Sequence, residues 1–166
     1  RAAATLPHPL DIHVCVDTGI GRVGVPYAEA GPLIRDLAGR KNVRVAGVMM
    51  TFTEDQAFDQ EQLKRFTTLT DELTASGIGI GKRHAASSYT FFQHDNAWLD
   101  MVRTGMILYG VFPAPSFRKG AAMDLRPAVA LRPRVAYLKK IQAGTSARYD
   151  RAYMAPADTG IATLPV

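Results

Sequence analysis

The sequence predicts an α/β fold: a parallel sheet of strand-then-helix units, with an antiparallel region after it. Three observations carry the prediction. Apolar, β-branched runs at 12–16, 43–52, 78–88 and 100–110 alternate with segments of helical period. The run at 43–52 is apolar nearly throughout, as in strands covered on both faces. Beyond a Pro- and Gly-rich stretch at 111–120, only strand-like runs remain. Serial β-then-α units imply right-handed crossovers, so the parallel part is either half of an eight-stranded barrel or a small open sheet.

The first strand, I-H-V-C-V at 12–16, ends at Asp17 and Thr18. Glycines at 19, 21 and 24 follow in the spacing G-x-G-x-x-G. Pro26 and further loop stand where a dinucleotide fingerprint needs a helix, so these glycines read as tight backbone turns. Arg22, held among them, faces either an anionic ligand or solvent. Residues 28–40 form a predicted helix with Leu33, Ile34 and Leu37 on one face, and Pro32 in or near its first turn. The second strand, 43–52, ends in Thr51, Thr53, Glu54 and Asp55. Acids in that position favour capping the next helix over catalysis. That helix, 59–76, is the clearest in the chain: Leu63, Phe66, Leu69 and Leu73 recur at helical spacing and Gly77 stops it.

The third strand runs into K-R-H-A-A-S-S at 82–88. Ser87 and Ser88 either cap a helix or, with free amides, hold an anion. Residues 91–98 read as a short helix or loop. The fourth strand and its turn, 100–110, contain M-V-R-T-G-M-I-L-Y-G and place Arg103 inside an apolar run. A guanidinium keeps its proton and is rarely buried unpaired, so Arg103 is either a structural residue at the strand rim or the partner of a bound group. A long strand-like run at 128–141, interrupted by Pro133, a turn at 143–145 and a strand at 161–166 complete the chain.

Composition narrows the function. The 166 residues suffice for a domain with a real core, and 47% are hydrophobic. No apolar run is long enough to cross a bilayer, and residues 1–9 lack a signal-peptide core. The start at Arg1 reads as a cut point. The net charge of +5 is scattered, which suits a solvated face better than a nucleic-acid stripe. The single cysteine, Cys15, excludes an intrachain disulfide and a cysteine metal cage, suits the cytoplasm, and is expected in the core. Arg22, Thr51, Ser87, Ser88, Arg103 and Gly105 fall at or just beyond strand C-termini, where parallel sheets bind ligands. Arginines, serines and a glycine on one rim suit a phosphate- or carboxylate-bearing ligand.

D-T-G-I-G-R-V-G-V (17–25), H-A-A-S-S (84–88) and M-V-R-T-G-M-I-L-Y-G (101–110), followed by G-T-S-A-R-Y-D-R-A-Y and I-A-T-L-P-V, resemble the alanine racemases, fold-type III enzymes dependent on pyridoxal 5'-phosphate. The resemblance implies that residues 1–115 are the second half of a (β/α)8 TIM barrel and that 125–166 begin an antiparallel β-domain. It implies a cytoplasmic homodimer that interconverts L- and D-alanine for the cell wall, with a small amino acid as substrate and neither nucleic acid nor membrane as partner. Arg103 resembles the arginine that donates to the pyridine nitrogen, leaving it unprotonated and the ring a weaker electron sink, which favours two-base racemisation. Ser88, with the amides of Gly105 and Met106, resembles the phosphate cradle. Arg22 resembles the arginine near the cofactor's phenolic oxygen and the substrate carboxylate, and His84 a residue holding the geometry of the pyridine-contacting arginine.

Thr51 stands where the family usually has a histidine near the cofactor ring, Ser87 replaces a usual asparagine, and Cys15 replaces a lysine that some members carbamylate. The cofactor-bearing lysine motif and the catalytic tyrosine motif do not occur within these residues, so the 166 residues alone are expected to be inactive. The departures also leave room for a racemase of broader specificity or a non-catalytic, regulatory cofactor-binding barrel.

Overall fold

The computed structural model describes residues 6–119 and 122–165. The reading of Arg1 as a cut point and the end of the last predicted strand at Val166 lie outside those residues. The chain divides into two units, 1–128 and 129–166.

In the first unit β1 (Leu10–Asp17), β2 (Val25–Pro26), β3 (Val43–Met49), β4 (Lys82–Ser87) and β5 (Met101–Arg103) form one parallel sheet in the order β2-β1-β3-β4-β5. Helices α1 (Tyr27–Ala38) and α2 (Gln56–Ala75) link its strands. Alternation along β1 sorts its side chains. Val14 and Val16 enter the core, while His13 and Cys15 between them point to the other face. Opposite the valines, α1 buries Ala30 and Ile34, and α2 buries Leu63, Phe66, Leu69 and Leu73. A side chain such as Phe66, wholly removed from water, contributes roughly 1.5–3 kcal/mol.

The ends of α2 follow from local chemistry. The Asp55 carboxylate accepts from the Ala57 and Phe58 amides at 3.1 and 2.9 Å, so this acid is a cap. At the other end Gly77 takes φ +77°, a left-handed conformation that suits glycine.

Pro32 sits near the first turn of α1, as its sixth residue, and removes the amide that would meet the Ala28 carbonyl. Several other features differ from the sequence expectation. Leu33, expected on the buried face, stays 38% exposed. The second strand stops at Met49, leaving Thr51 and Phe52 beyond it. The fourth spans only Met101–Arg103, and the apolar residues after it, Met106–Tyr109, form a 3-10 turn. A short apolar run carries no period that separates a strand from such a turn. Residues 88–93 form α3 and a 3-10 turn follows at 95–97, then α4 (Pro115–Arg118). Cys15 is half-buried rather than a core residue, because it lies on the face that the helices leave uncovered.

The second unit holds two small antiparallel pairs, β6 (Tyr137–Ile141) with β9 (Thr159–Thr163), and β7 (Ser146–Ala147) with β8 (Tyr153–Met154). The expected long strand at 128–141 is therefore confined to its last five residues, since Pro133 lacks the amide a ladder needs. The final strand starts at Thr159 and ends at Thr163, displaced from the expected 161–166.

Candidate functional site

Among the described residues, hollows open at both ends of the parallel sheet. The larger, about 480 Å³, lies at the N-terminal ends of β1 and β3 among His8, Asp11, Lys41 and Arg44, where Arg44 and Asp11 are already paired. The other, about 280 Å³, opens at the C-terminal ends of β4 and β5. Strand C-termini are where parallel sheets bind ligands, so the smaller cleft is the candidate site. Its wall brings together Ser87, Ser88, Arg103, Gly105 and Met106, with Glu54, Tyr89 and Pro113.

Arg103 ends β5 and reaches across two neighbouring strands. Its Nη2 donates to the carbonyls of Met50 at 2.7 Å and Ala85 at 3.2 Å. Its Nη1 donates to the His84 carbonyl and to His84 Nδ1, both at 3.0 Å. A guanidinium has five N–H donors. Four are thus engaged, and Nε–H makes no hydrogen bond among the described residues. Burial lowers the Arg103 pKa from its ordinary value, yet the group keeps its charge at any physiological pH.

His84 is buried and accepts at Nδ1, so when neutral it carries its proton on Nε2. Its pKa falls to about 4, first through burial, then through the Arg103 charge and then through His13. The ring is therefore neutral at pH 7.

The phosphate-suited part of the wall comes from two turns. Ser87 caps α3: its Oγ accepts from the Tyr89 and Thr90 amides at 3.2 and 3.4 Å, and the Thr90 hydroxyl accepts from the Ser87 amide at 2.8 Å. The Ser87 Oγ also stands 3.3 Å from the Thr90 hydroxyl, inside this capping box, whereas the Ser88 hydroxyl proton has no acceptor among the described residues. The Ser88 Oγ accepts from the Ile107 amide at 3.4 Å, tying α3 to the turn after β5. The amides of Gly105 and Met106 make no hydrogen bond among the described residues. A side chain built on Gly105 would meet nothing within 4 Å, so open space fronts that turn.

Three expected site residues fall outside the wall. His84 stands behind Arg103. Thr51 lies two residues past β3 and is half-buried, with its carbonyl accepting from Gln62 Nε2 at 3.3 Å. Arg22 is exposed on the loop after β1 and makes no hydrogen bond among the described residues. Asp17 shapes that loop: its carboxylate accepts from the Gly19 and Gly21 amides at 2.9 and 3.1 Å, which lower its pKa. Those amides are thereby taken, so the glycine loop is no anion cradle. Cys15 nearby has its thiol pKa raised, chiefly by burial.

Of the two acids after the second strand, Asp55 is the cap expected of it, whereas Glu54 lines the cleft and is held at φ +66°. Its amide donates to the buried Asp59 carboxylate at 3.1 Å, which also accepts from the Thr53 hydroxyl. Asp59, the fourth residue of α2, is a buried acid that needs such local donors.

Comparison with known proteins adds independent findings. The family model described as "Alanine racemase, N-terminal domain" matches residues 1–113. The alanine racemase of Desulfovibrio desulfuricans is 37% identical over 99% of this chain and 45% of its own length. That of Geobacter sp. is 35% identical over 93% of this chain and 42% of its own. Among solved structures, the alanine racemase from D-cycloserine-producing Streptomyces lavendulae superposes with a TM-score of 0.77 at 30% identity, covering 97% of this chain and 44% of that one. The one from E. faecalis gives 0.67 at 28% identity, covering 95% and 43%. The chain thus spans less than half the length of each of these relatives.

Proposed function

The chain belongs to the alanine racemase family, and from that premise we propose that its cleft holds pyridoxal 5'-phosphate within a longer polypeptide that racemises alanine. The observation that carries the reading is the state of Arg103: four donors are tied to the protein and Nε–H is left for a ligand. A single fixed donor suits an unprotonated aromatic nitrogen. The fixed positive charge also disfavours a proton on that nitrogen. Ser88 Oγ–H and the amides of Gly105 and Met106 suit the phosphate, with open space before them. The residues present therefore fit the group.

When bound, pyridoxal phosphate supplies an electron sink for the carbanion formed by loss of the substrate α-proton. The protein's part is orientation. Arg103 holds one proton at Nε toward the ring, His84 holds Arg103, and the Ser88 turn anchors the far end. Arg22, at the end of an open loop, is free to meet a substrate carboxylate. We assign to the longer polypeptide a half-barrel completed by residues outside this chain, a dimeric state and alanine as substrate. The 166 residues by themselves lack the cofactor-bearing lysine and the catalytic tyrosine and are assigned no turnover.

Titration of the chain with pyridoxal phosphate, followed by its absorbance and by quenching of Trp98, tests the reading. Saturable binding that weakens in Arg103→Met and Ser88→Ala is expected, as is the absence of D-alanine formation from L-alanine above that of free cofactor. Binding indifferent to both substitutions overturns the site. Turnover by the chain alone overturns the division of labour. Thr51 and Ser87, the two departures from the family pattern, favour a second reading, a cofactor-binding module without catalysis: inactivity of the longer polypeptide with binding intact would select it.

A further inference from the structure

His13 lies on β1, on the face away from the helices, and is exposed. Its Nδ1 nevertheless stands 2.7 Å from Nε2 of the buried His84 on β4, with ring centroids 4.9 Å apart. Strand β3 runs between β1 and β4. Two rings can touch over an intervening strand only where that strand carries no side chain between them. The residue in register with His13 is Gly47. A Cβ there would sit 2.5 Å from His13 Nδ1 and 2.7 Å from the Lys82 carbonyl, closer than van der Waals contact allows. Glycine is required here for space, not for conformation.

The direction of the hydrogen bonds follows from Arg103, which can only donate. His84 Nδ1 must accept, so the neutral ring donates from Nε2, and His13 must accept at Nδ1. The low His84 pKa agrees with a ring that stays neutral in this role.

We infer that His13 is a positioning residue for Arg103: by accepting the His84 Nε2 proton across the Gly47 gap, it holds the His84 ring in the orientation that receives Arg103 Nη1 and so leaves Nε–H as the donor toward the cleft. The relay stands on the geometry of this chain's own side chains. Only the identity of what Nε–H meets rests on the cofactor reading above.

The test uses the ¹⁵N-labelled chain without cofactor at pH 7, with long-range ¹H–¹⁵N correlation of the imidazoles. The parent chain is expected to show His84 and His13 both protonated at Nε2 and bare at Nδ1. In His13→Leu, the His84 Nε2 proton loses its acceptor, so its resonance shifts upfield and the proton exchanges faster with water, and the Arg103 Nε resonance shifts. In His13→Asn, whose amide oxygen can accept in place of Nδ1, both signals return toward the parent. His13 is outside the core, and unchanged α2 amide resonances certify the fold of each variant. Pyridoxal phosphate added afterwards binds roughly three- to tenfold more weakly to the Leu variant, the worth of one hydrogen bond, and the Asn variant recovers most of it. His84 Nε2–H and Arg103 Nε resonances unmoved by His13→Leu, or not restored by His13→Asn, overturn the role. If the resonances respond as described but the parent chain binds no pyridoxal phosphate, the relay is upheld and the cofactor reading falls.

Discussion

Replacing Arg103 by methionine keeps an unbranched stem in the apolar run and deletes the guanidinium. The change removes four hydrogen bonds, three to the carbonyls of Met50, His84 and Ala85 and one to the His84 ring. Each bond to a charged group is worth roughly 1.5–3 kcal/mol gross. Against that stands the cost of holding the cation out of water, visible in its lowered pKa. Breaking a buried charged network typically leaves a net loss of about 3–5 kcal/mol, a large share of the roughly 5–15 kcal/mol that holds a domain together. Arg103→Lys should fall between, because one ammonium cannot span the Met50 and Ala85 carbonyls as the planar fork does. Urea unfolding followed by far-ultraviolet circular dichroism measures both. A methionine variant within about 1 kcal/mol of the parent would refute the idea that Arg103 staples β5 to the sheet.

Three further outcomes are expected. The unfolded His84 imidazole takes a proton near pH 6.5, the folded one only near 4; between those values the unfolded chain binds more protons, so stability falls as pH drops through that window, by up to roughly 3 kcal/mol. Urea midpoints at pH 7, 5.5 and 4.5 measure it, and a flat profile contradicts it. Glu54→Gln removes a carboxylate from the wall that faces the proposed phosphate and should tighten pyridoxal phosphate about two- to fivefold at low salt, the gain shrinking as salt screens it; unchanged affinity would place Glu54 away from the phosphate. Gly81→Ala places a methyl over the Ala46 carbonyl at a residue held at φ +62°, and should destabilise by more than about 2 kcal/mol in thermal melts.

Strong periodicity was the legible part of the fold. Leu63, Phe66, Leu69 and Leu73 placed α2, and the valines of 12–16 and 43–49 placed the two central strands. Short apolar runs were not legible. Residues 106–109 and 128–136 have the composition of strands, but pairing depends on neighbours distant in sequence, and Pro133 weighs against it only once those neighbours are known. At the site, Ser88, Arg103, Gly105 and Met106 share one wall as expected, because all follow strands that end side by side. Arg22 and Thr51 follow other strands, and their side chains do not reach that wall. Glu54 was expected as a cap rather than in the cleft wall, and Gly47 escaped notice, since a backbone twist and a missing side chain leave no pattern in a single sequence.

The strand that carries Arg103 is three residues long and, among the described residues, has a neighbour on one side only. Short edges open first when a protein breathes. The residue offered to the ligand is thus also the rivet that keeps this edge from fraying. By linkage, whatever occupies the cleft and draws on Arg103 in its riveted pose must slow the opening of the edge, and whatever loosens the edge must weaken occupancy by the same factor. Amide exchange at 101–107 is therefore a gauge of binding that needs no chemistry from the ligand. Its protection should rise with cofactor concentration while the amides of α2 exchange at an unchanged rate.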